Sequence, residues 1–248
     1  MYDRQVGPTN DFIEFEREET EQSIPECFEK QVAKYGHRIA VRDECHELTY
    51  HELNKTANCI GLAILEQRSE GQEPIALLLS QGNPVAAGIL GVLKAGKIYV
   101  PLDPSHPRAR LSYILEDSQA GLLVTDTKNL PLAHELAQSG LQLINIDEID
   151  SGSYIADPGL SIPPDSLVYI FYTSGSTGQP KGVVQNHRNL LNGLMRQTSD
   201  LHICADDRYA LLAWSAGGIF SAILKGAGAF SFNIKEEGLA NLADWLTG

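Results

Sequence analysis

The stretch VYIFYTSGSTGQPKG (168–182) joins an apolar, aromatic run to a loop of small hydroxylated residues. VYIFY reads as a strand that empties directly into TSGSTGQPKG (173–182). Glycines at 175, 178 and 182 let a backbone turn sharply and approach a ligand closely. Thr173, Ser174, Ser176 and Thr177 offer hydroxyls, and Lys181 one mobile cation. Backbone N–H groups and hydroxyls in a concave turn hold phosphate oxygens without a broad basic surface. The stretch therefore predicts a polyphosphate loop at the end of a buried strand. A flexible Gly/Ser linker is the plain alternative. A linker, however, has no reason to be fused to a buried strand on one side and to Pro-Lys-Gly, GVV and a helical pattern on the other. A Walker P-loop requires glycine before its lysine and Ser or Thr after it; the neighbours here are Pro180 and Gly182.

Working outward, the chain alternates helical and strand patterns. Ser23 to Glu26 spells a capping box, followed by Ile24, Phe28, Val32 and Tyr35 along one face before Gly36. Ile39 and Val41, then Leu48 and Tyr50, alternate with polar residues and predict a short hairpin. Thr49 to Glu52 is a second capping box, opening a helix with Leu53, Ala57, Ile60 and Ile64. PIALLLS (74–80) has no alternation, which suits a strand covered on both faces, and Asn83-Pro84 reads as an N-cap with proline at the first helical position. The helix ends at Gly96, and IYVPLDP (98–104), LLVTD (122–126) and LQLINI (141–146) read as further strands separated by helices. That order predicts an α/β fold of largely parallel sheet flanked by helices. DSGSYIADPGLSIPPD (150–165) reads as an internal loop, because strand patterns continue on both sides. The acidic 1–22 reads as a leader or interdomain segment, and 23–248 as one domain.

Bulk composition limits the function classes. The chain has 248 residues, 43% of them apolar, and 19 basic against 32 acidic residues give a net charge of −13. That balance argues against a nucleic-acid partner, which needs a clustered basic footprint. No apolar run is long enough for a membrane span, and the polar opening MYDRQVGPTN is no signal peptide. Cys27, Cys45, Cys59 and Cys204 show no metal or disulfide spacing, so reduced thiols in a cytoplasmic protein are expected. Cys45, His46 and His51 cluster in sequence but fit no zinc order. His187 reads as a helix-start residue ahead of Leu190, Leu191 and Leu194. G226-A-G228 lacks the rest of a dinucleotide fingerprint.

YTSGSTGQPKG (172–182) resembles the phosphate-loop signature of the adenylate-forming superfamily, which includes acyl-CoA synthetases, luciferases and the adenylation domains of nonribosomal peptide synthetases. LTYHEL (48–53) and LKAGKIYVPLDP (93–104) resemble the first two core motifs of the peptide-synthetase subfamily, and ARLSYILEDSQAGLLVTD (109–126) follows as it does there. The resemblance runs from about Ser23 to the C-terminus and implies the N-terminal subdomains of that fold.

The resemblance further implies ATP and Mg2+ as cofactors, a carboxylic acid substrate, and a carrier-protein phosphopantetheine thiol as the acceptor of the acyl group. A carboxylate attacks the α-phosphate of ATP to give an acyl-adenylate and pyrophosphate, and the thiol then takes the acyl group, the chemistry of an acid–thiol ligase. Thr173, Ser174, Gly175, Ser176, Thr177, Gly178 and Lys181 are implied to grip the β- and γ-phosphates. The family's adenine pocket, ribose aspartate, magnesium glutamate and carboxylate-binding lysine have no counterpart within these residues. The family's Phe-Asp-x-Ser region should fall near WSAGGIFSAILKGAGAF (214–230), where Trp214-Ser215 runs straight into Ala216-Gly217-Gly218. The expected reading is thus an incomplete, truncated N-terminal portion of an adenylation domain, inactive alone; a non-catalytic nucleotide-binding or interaction module is the alternative.

Overall fold

The computed structural model describes residues 10–14, 17–44, 46–137, 140–150, 156–174, 179–212, 216–232 and 234–247. Helix α1 (Ile24–Tyr35) precedes a hairpin of β1 (Ile39–Arg42) and β2 (Glu47–Thr49), then α2 (Tyr50–Gln67), β3 (Pro74–Leu78), α3 (Asn83–Lys94), β4 (Ile98–Pro101), α4 (Arg108–Ser118), β5 (Leu122–Thr125), α5 (Leu130–Leu136) and β6 (Gln142–Asn145). After a long connection come β7 (Leu167–Ser174), β8 (Pro180–Asn186), α6 (His187–Asp200), β9 (Arg208–Leu211), α7 (Ala216–Ile223) and β10 (Gly228–Ser231). The α/β expectation is met with two sheets. One has the order β6-β5-β3-β4-β7-β8, parallel except for β8; the other is β2-β1-β10-β9, parallel except for β2.

The central strands β3, β4 and β5 of the larger sheet are buried on both faces, as their unbroken apolar runs predict. Ile75 and Leu77 of β3 and Leu122 and Val124 of β5 join a core with α1, α2, α3, α6, α7 and the smaller sheet. Their neighbours Ala76, Leu78 and Leu123 face a second core under α4 and α5. Helices α2 and α3 form the layer that both sheets share. They meet at glycines: a Cβ on Gly91 would lie 2.6 Å from Ile60 Cγ2 and 3.1 Å from the Ala57 carbonyl, and one on Gly61 3.0 Å from the Gly91 carbonyl. Lys94, the last residue of α3, is buried and pairs with Glu29 of α1 and, at 2.6 Å, with Asp157, so the connection at 156–160 is tied to the helix layer.

Both capping boxes form, Ser23 with Glu26 and Thr49 with Glu52. Tyr50, expected in the hairpin, is instead the first residue of α2, and its hydroxyl donates to the Ile223 and Ala227 carbonyls. Asn83 is not the N-cap of α3. Gly82 caps it at φ +102°, while the Asn83 N–H donates to Asp43 and its Nδ2 to the His46 carbonyl. Tertiary acceptors took the side chain that a local cap would have used. His46 and His51 join no metal cluster among the described residues, and Cys45 lies outside them; His51 stacks its ring over Gly36. Within the 1–22 segment expected as a leader or interdomain segment, Asn10 donates to the His202 carbonyl, Lys225 to that of Ile13, and Thr20 and Gln22 are buried.

His187 locks α6 to α1. Its imidazole is buried, and Nδ1 accepts the N–H of Ile24, one of the first-turn donors that α1 cannot satisfy internally. Protonation would remove that acceptor and set a cation against a helix N-terminus; burial pushes the pKa from 6.5 down to about 4. The unfolded chain therefore binds a proton first as pH falls. The stabilisation is whole above pH 6.5, declines between about 6.5 and 4, and amounts to on the order of 3 kcal/mol in full. Urea midpoints across this window should fall more steeply in the wild-type protein than in His187→Asn. Parallel profiles would contradict the assignment.

Candidate phosphate-binding site

Strand β7 runs parallel to β4 and carries its C-terminal end to the carboxyl edge of the larger sheet, where open α/β folds place ligands. The strand order reverses between β3 and β5, and that crevice is filled by the protein itself. The Asp126 carboxylate, buried there, accepts the N–H groups of Ser80 and Asn129 and the Asn129 amide. At the carboxyl end of β7, by contrast, Thr173 is exposed.

There the chain reverses. β8 returns antiparallel, with Tyr172 opposite Gly182, Thr173 opposite Lys181 and Ser174 opposite Pro180. The loop expected over 173–182 is shorter than predicted, because Thr173, Ser174, Pro180, Lys181 and Gly182 belong to strands. The reason is legible in Val183 and Val184, β-branched residues that extend the return strand. The structure brings Thr173 and Lys181 together across the ladder at the base of the turn, and Lys181 is exposed. The backbone of Ser174 ends β7; Gly175, Ser176, Thr177 and Gly178 lie outside the described residues.

Gly182 was read as a turn residue. Its place in the ladder gives it a different task. A Cβ there would lie 2.9 Å from Ile170 Cγ2 and 3.3 Å from Tyr172 Cζ. Its absence lets the Tyr172 ring lie across β8 and reach α4, where its hydroxyl donates to Asp117 Oδ2 at 2.6 Å. One turn earlier on α4, Tyr113 donates to the Pro180 carbonyl at 3.3 Å and meets the Tyr172 ring edge-on, centroids 6.5 Å apart. Burial and the Asp117 carboxylate both push the Tyr172 hydroxyl to hold its proton more tightly. On the other face, Tyr169 and Phe171 pack edge-to-face with each other and against buried Tyr99 of β4.

Tyr113, Asp117 and Tyr172 were not singled out individually in the sequence. The spacing of Tyr113 and Asp117 on one helical face was a usable signal, but only the fold shows what lies opposite them. Substituting Gly182→Val should force Tyr172 off Asp117 and loosen the hairpin, at about 1–3 kcal/mol for overpacking. Hydrogen exchange at β7 and β8 amides reads this directly; protection equal to wild type would refute the packing role of Gly182.

The sequence matches the profile of the family described as "AMP-binding enzyme" over residues 28–232. Gramicidin S synthase 2 of Brevibacillus brevis is 37% identical over 226 residues, which is 87% of this chain but 5% of that protein. Gramicidin S synthase 1 of the same organism is 34% identical over 228 residues, 89% of this chain and 20% of its own length. The chain thus spans a small part of the curated relatives it matches. Among solved structures, the AMPPNP-bound form of the nonribosomal peptide synthetase FmoA3 superposes with a TM-score of 0.75 at 27% identity, over 90% of this chain and 24% of that one. The VinN complex with 3-methylaspartate gives a TM-score of 0.77 at 19% identity, a likeness of fold. The chain belongs to the AMP-binding enzyme family, and within it to the nonribosomal peptide synthetase adenylation type, whose N-terminal fold it shares.

Proposed function

We propose that this chain supplies the leaving-group grip of an ATP-dependent, carboxylate-activating adenylation site. The observation that supports this most is the β7–β8 hairpin: it brings Thr173 and Lys181 side by side at the carboxyl edge of a parallel sheet. The AMPPNP-bound form of FmoA3 shows that a protein of this fold takes an ATP analogue.

In this reading Thr173, Ser174, Ser176 and Thr177 donate hydroxyl hydrogen bonds to β- and γ-phosphate oxygens. The backbone at Gly175 and Gly178 approaches closely, and Lys181 offsets charge that grows on pyrophosphate as the α-phosphorus–oxygen bond breaks. Mg2+ would supply charge neutralisation on the same phosphates; the one or two carboxylates it usually takes are not among residues 167–186, which would hold only the phosphates of its complex. The carboxylic acid would be the nucleophile and a carrier-protein phosphopantetheine thiol the acyl acceptor. The adenine, ribose and carboxylate contacts that the family resemblance calls for are not among these 248 residues. The proposed activity of the residues in hand is therefore triphosphate binding in a cytoplasmic, acid-activating enzyme, rather than turnover by themselves. Residues 23–248 act as one adenylation unit in this reading, with 150–165 as an internal loop.

Titration of the 248-residue chain with Mg·ATP and with AMP tests the proposal. ATP should bind and AMP far more weakly, and Lys181→Ala should weaken ATP by about tenfold or more, as expected for a charge-assisted contact of about 1.5–3 kcal/mol. Carboxylate-dependent ATP–pyrophosphate exchange should stay at background with amino, hydroxy, keto and fatty acids. Equal affinity for ATP and AMP, or Lys181→Ala binding like wild type, would overturn the assignment of the hairpin.

A further inference from the structure

The phosphate hairpin stands at the rim of the fold with little beneath it. Register places Tyr99 opposite Tyr169, so Pro101, the last residue of β4, comes level with Phe171. Tyr172 to Ser174 therefore extend past the end of the neighbouring strand. On its other side, β8 has no partner strand among the described residues. Val183 and Val184, which point to opposite faces, are 45% and 52% exposed, so neither face of β8 is covered there. A two-stranded ribbon with this much free surface is a marginal structure by itself. Yet gripping a leaving group requires donors held within a fraction of an ångström.

We propose that Tyr113 and Asp117 of α4, with Tyr172, form a clamp that positions Thr173 and Lys181 on the two arms of the phosphate hairpin. This inference rests on the triphosphate reading above and names how that site is held. The contacts fall on both arms of the hairpin at its distal end. Tyr172 immediately precedes Thr173, and Pro180 immediately precedes Lys181. Asp117 accepts from the first arm at 2.6 Å and Tyr113 donates to the second at 3.3 Å. Helix α4 is itself fixed on the second core through Leu111, Ile114 and Leu115. Position thus passes from a packed helix, through two side chains one turn apart, to one residue on each arm of the hairpin, next to Thr173 and Lys181. None of the three need touch a phosphate; they are positioning residues. Gly182 belongs to the same device, because a side chain there would displace the Tyr172 ring.

The test uses the whole chain and inorganic tripolyphosphate as probe, by calorimetry well below the melting temperature. Tyr172→Phe keeps the ring and removes the donor; Asp117→Ala removes the acceptor. Each should weaken tripolyphosphate binding by about three- to tenfold, the equivalent of one typical net hydrogen bond. The double variant should be no weaker than the weaker single one, because both break the same contact. Asp117→Asn, which retains a carbonyl acceptor, should bind nearly as the wild type does. A purely architectural role would lower the melting temperature and leave the affinity of the folded protein unchanged. Unchanged affinity in Tyr172→Phe and Asp117→Ala, with binding lost in Lys181→Ala, overturns the clamp and leaves the phosphate reading standing. Failure of the wild type to bind tripolyphosphate, or Lys181→Ala binding it equally well, overturns the phosphate reading and the clamp with it.

Discussion

The close approach of α2 and α3 at Gly61 and Gly91 is the constraint on which the rest of the molecule depends. With side chains at either position the helices would separate, since a Cβ on Gly91 meets the Ile60 branch and the Ala57 carbonyl. That pair is the middle layer, packed on one side against β3, β4, β5 and β7 and on the other against β1 and β10. Its thickness sets the distance between two sheets that share no ladder. Close packing leaves no slack to absorb a shift of the layer, so the placement of the larger sheet, and of β7 at its edge, follows from it.

From that layer outward, order is relayed by polar pins rather than by more apolar surface. Lys94 holds the connection at 156–160 to α1 and α3, and His187 joins the start of α6 to the start of α1. Arg188 holds Asp165 and Glu21 beside it. Each pin joins segments distant in sequence at a helix end, where unsatisfied backbone groups and partial charges make a polar partner useful. At the rim, where packing thins, Tyr113 and Asp117 repeat the pattern for the phosphate hairpin. The two arms of the hairpin, with Thr173 and Lys181 exposed, thus rest on a rigid support.

Much of this was legible before any coordinates. Ser23 with Glu26 and Thr49 with Glu52 announced two helix starts, because a capping box is satisfied within four residues and needs nothing from the tertiary structure. PIALLLS announced a strand covered on both faces, and LLVTD a further strand. What failed did so where the decisive partner is remote. Asn83 looked like a cap, but Asp43 and the His46 carbonyl engage it. The assignment of β1 and β10 to one sheet, Val41 beside Ala229, has no local signature. TSGSTGQPKG pointed to the family, yet its glycines were all read as turn residues. Gly182 instead makes room for a ring from the opposite strand, a role that exists only once Tyr172 is known to be its neighbour.

The central claim is that the hairpin at the end of β7 is where this chain meets a triphosphate. Amide NMR spectra recorded during addition of Mg·ATP locate the contact residue by residue. The account predicts that the largest shifts cluster between Thr173 and Gly182, with smaller ones at Tyr113 and Asp117 on α4. Shifts concentrated instead at the Asp126 crevice, with 173–182 unmoved, would contradict it.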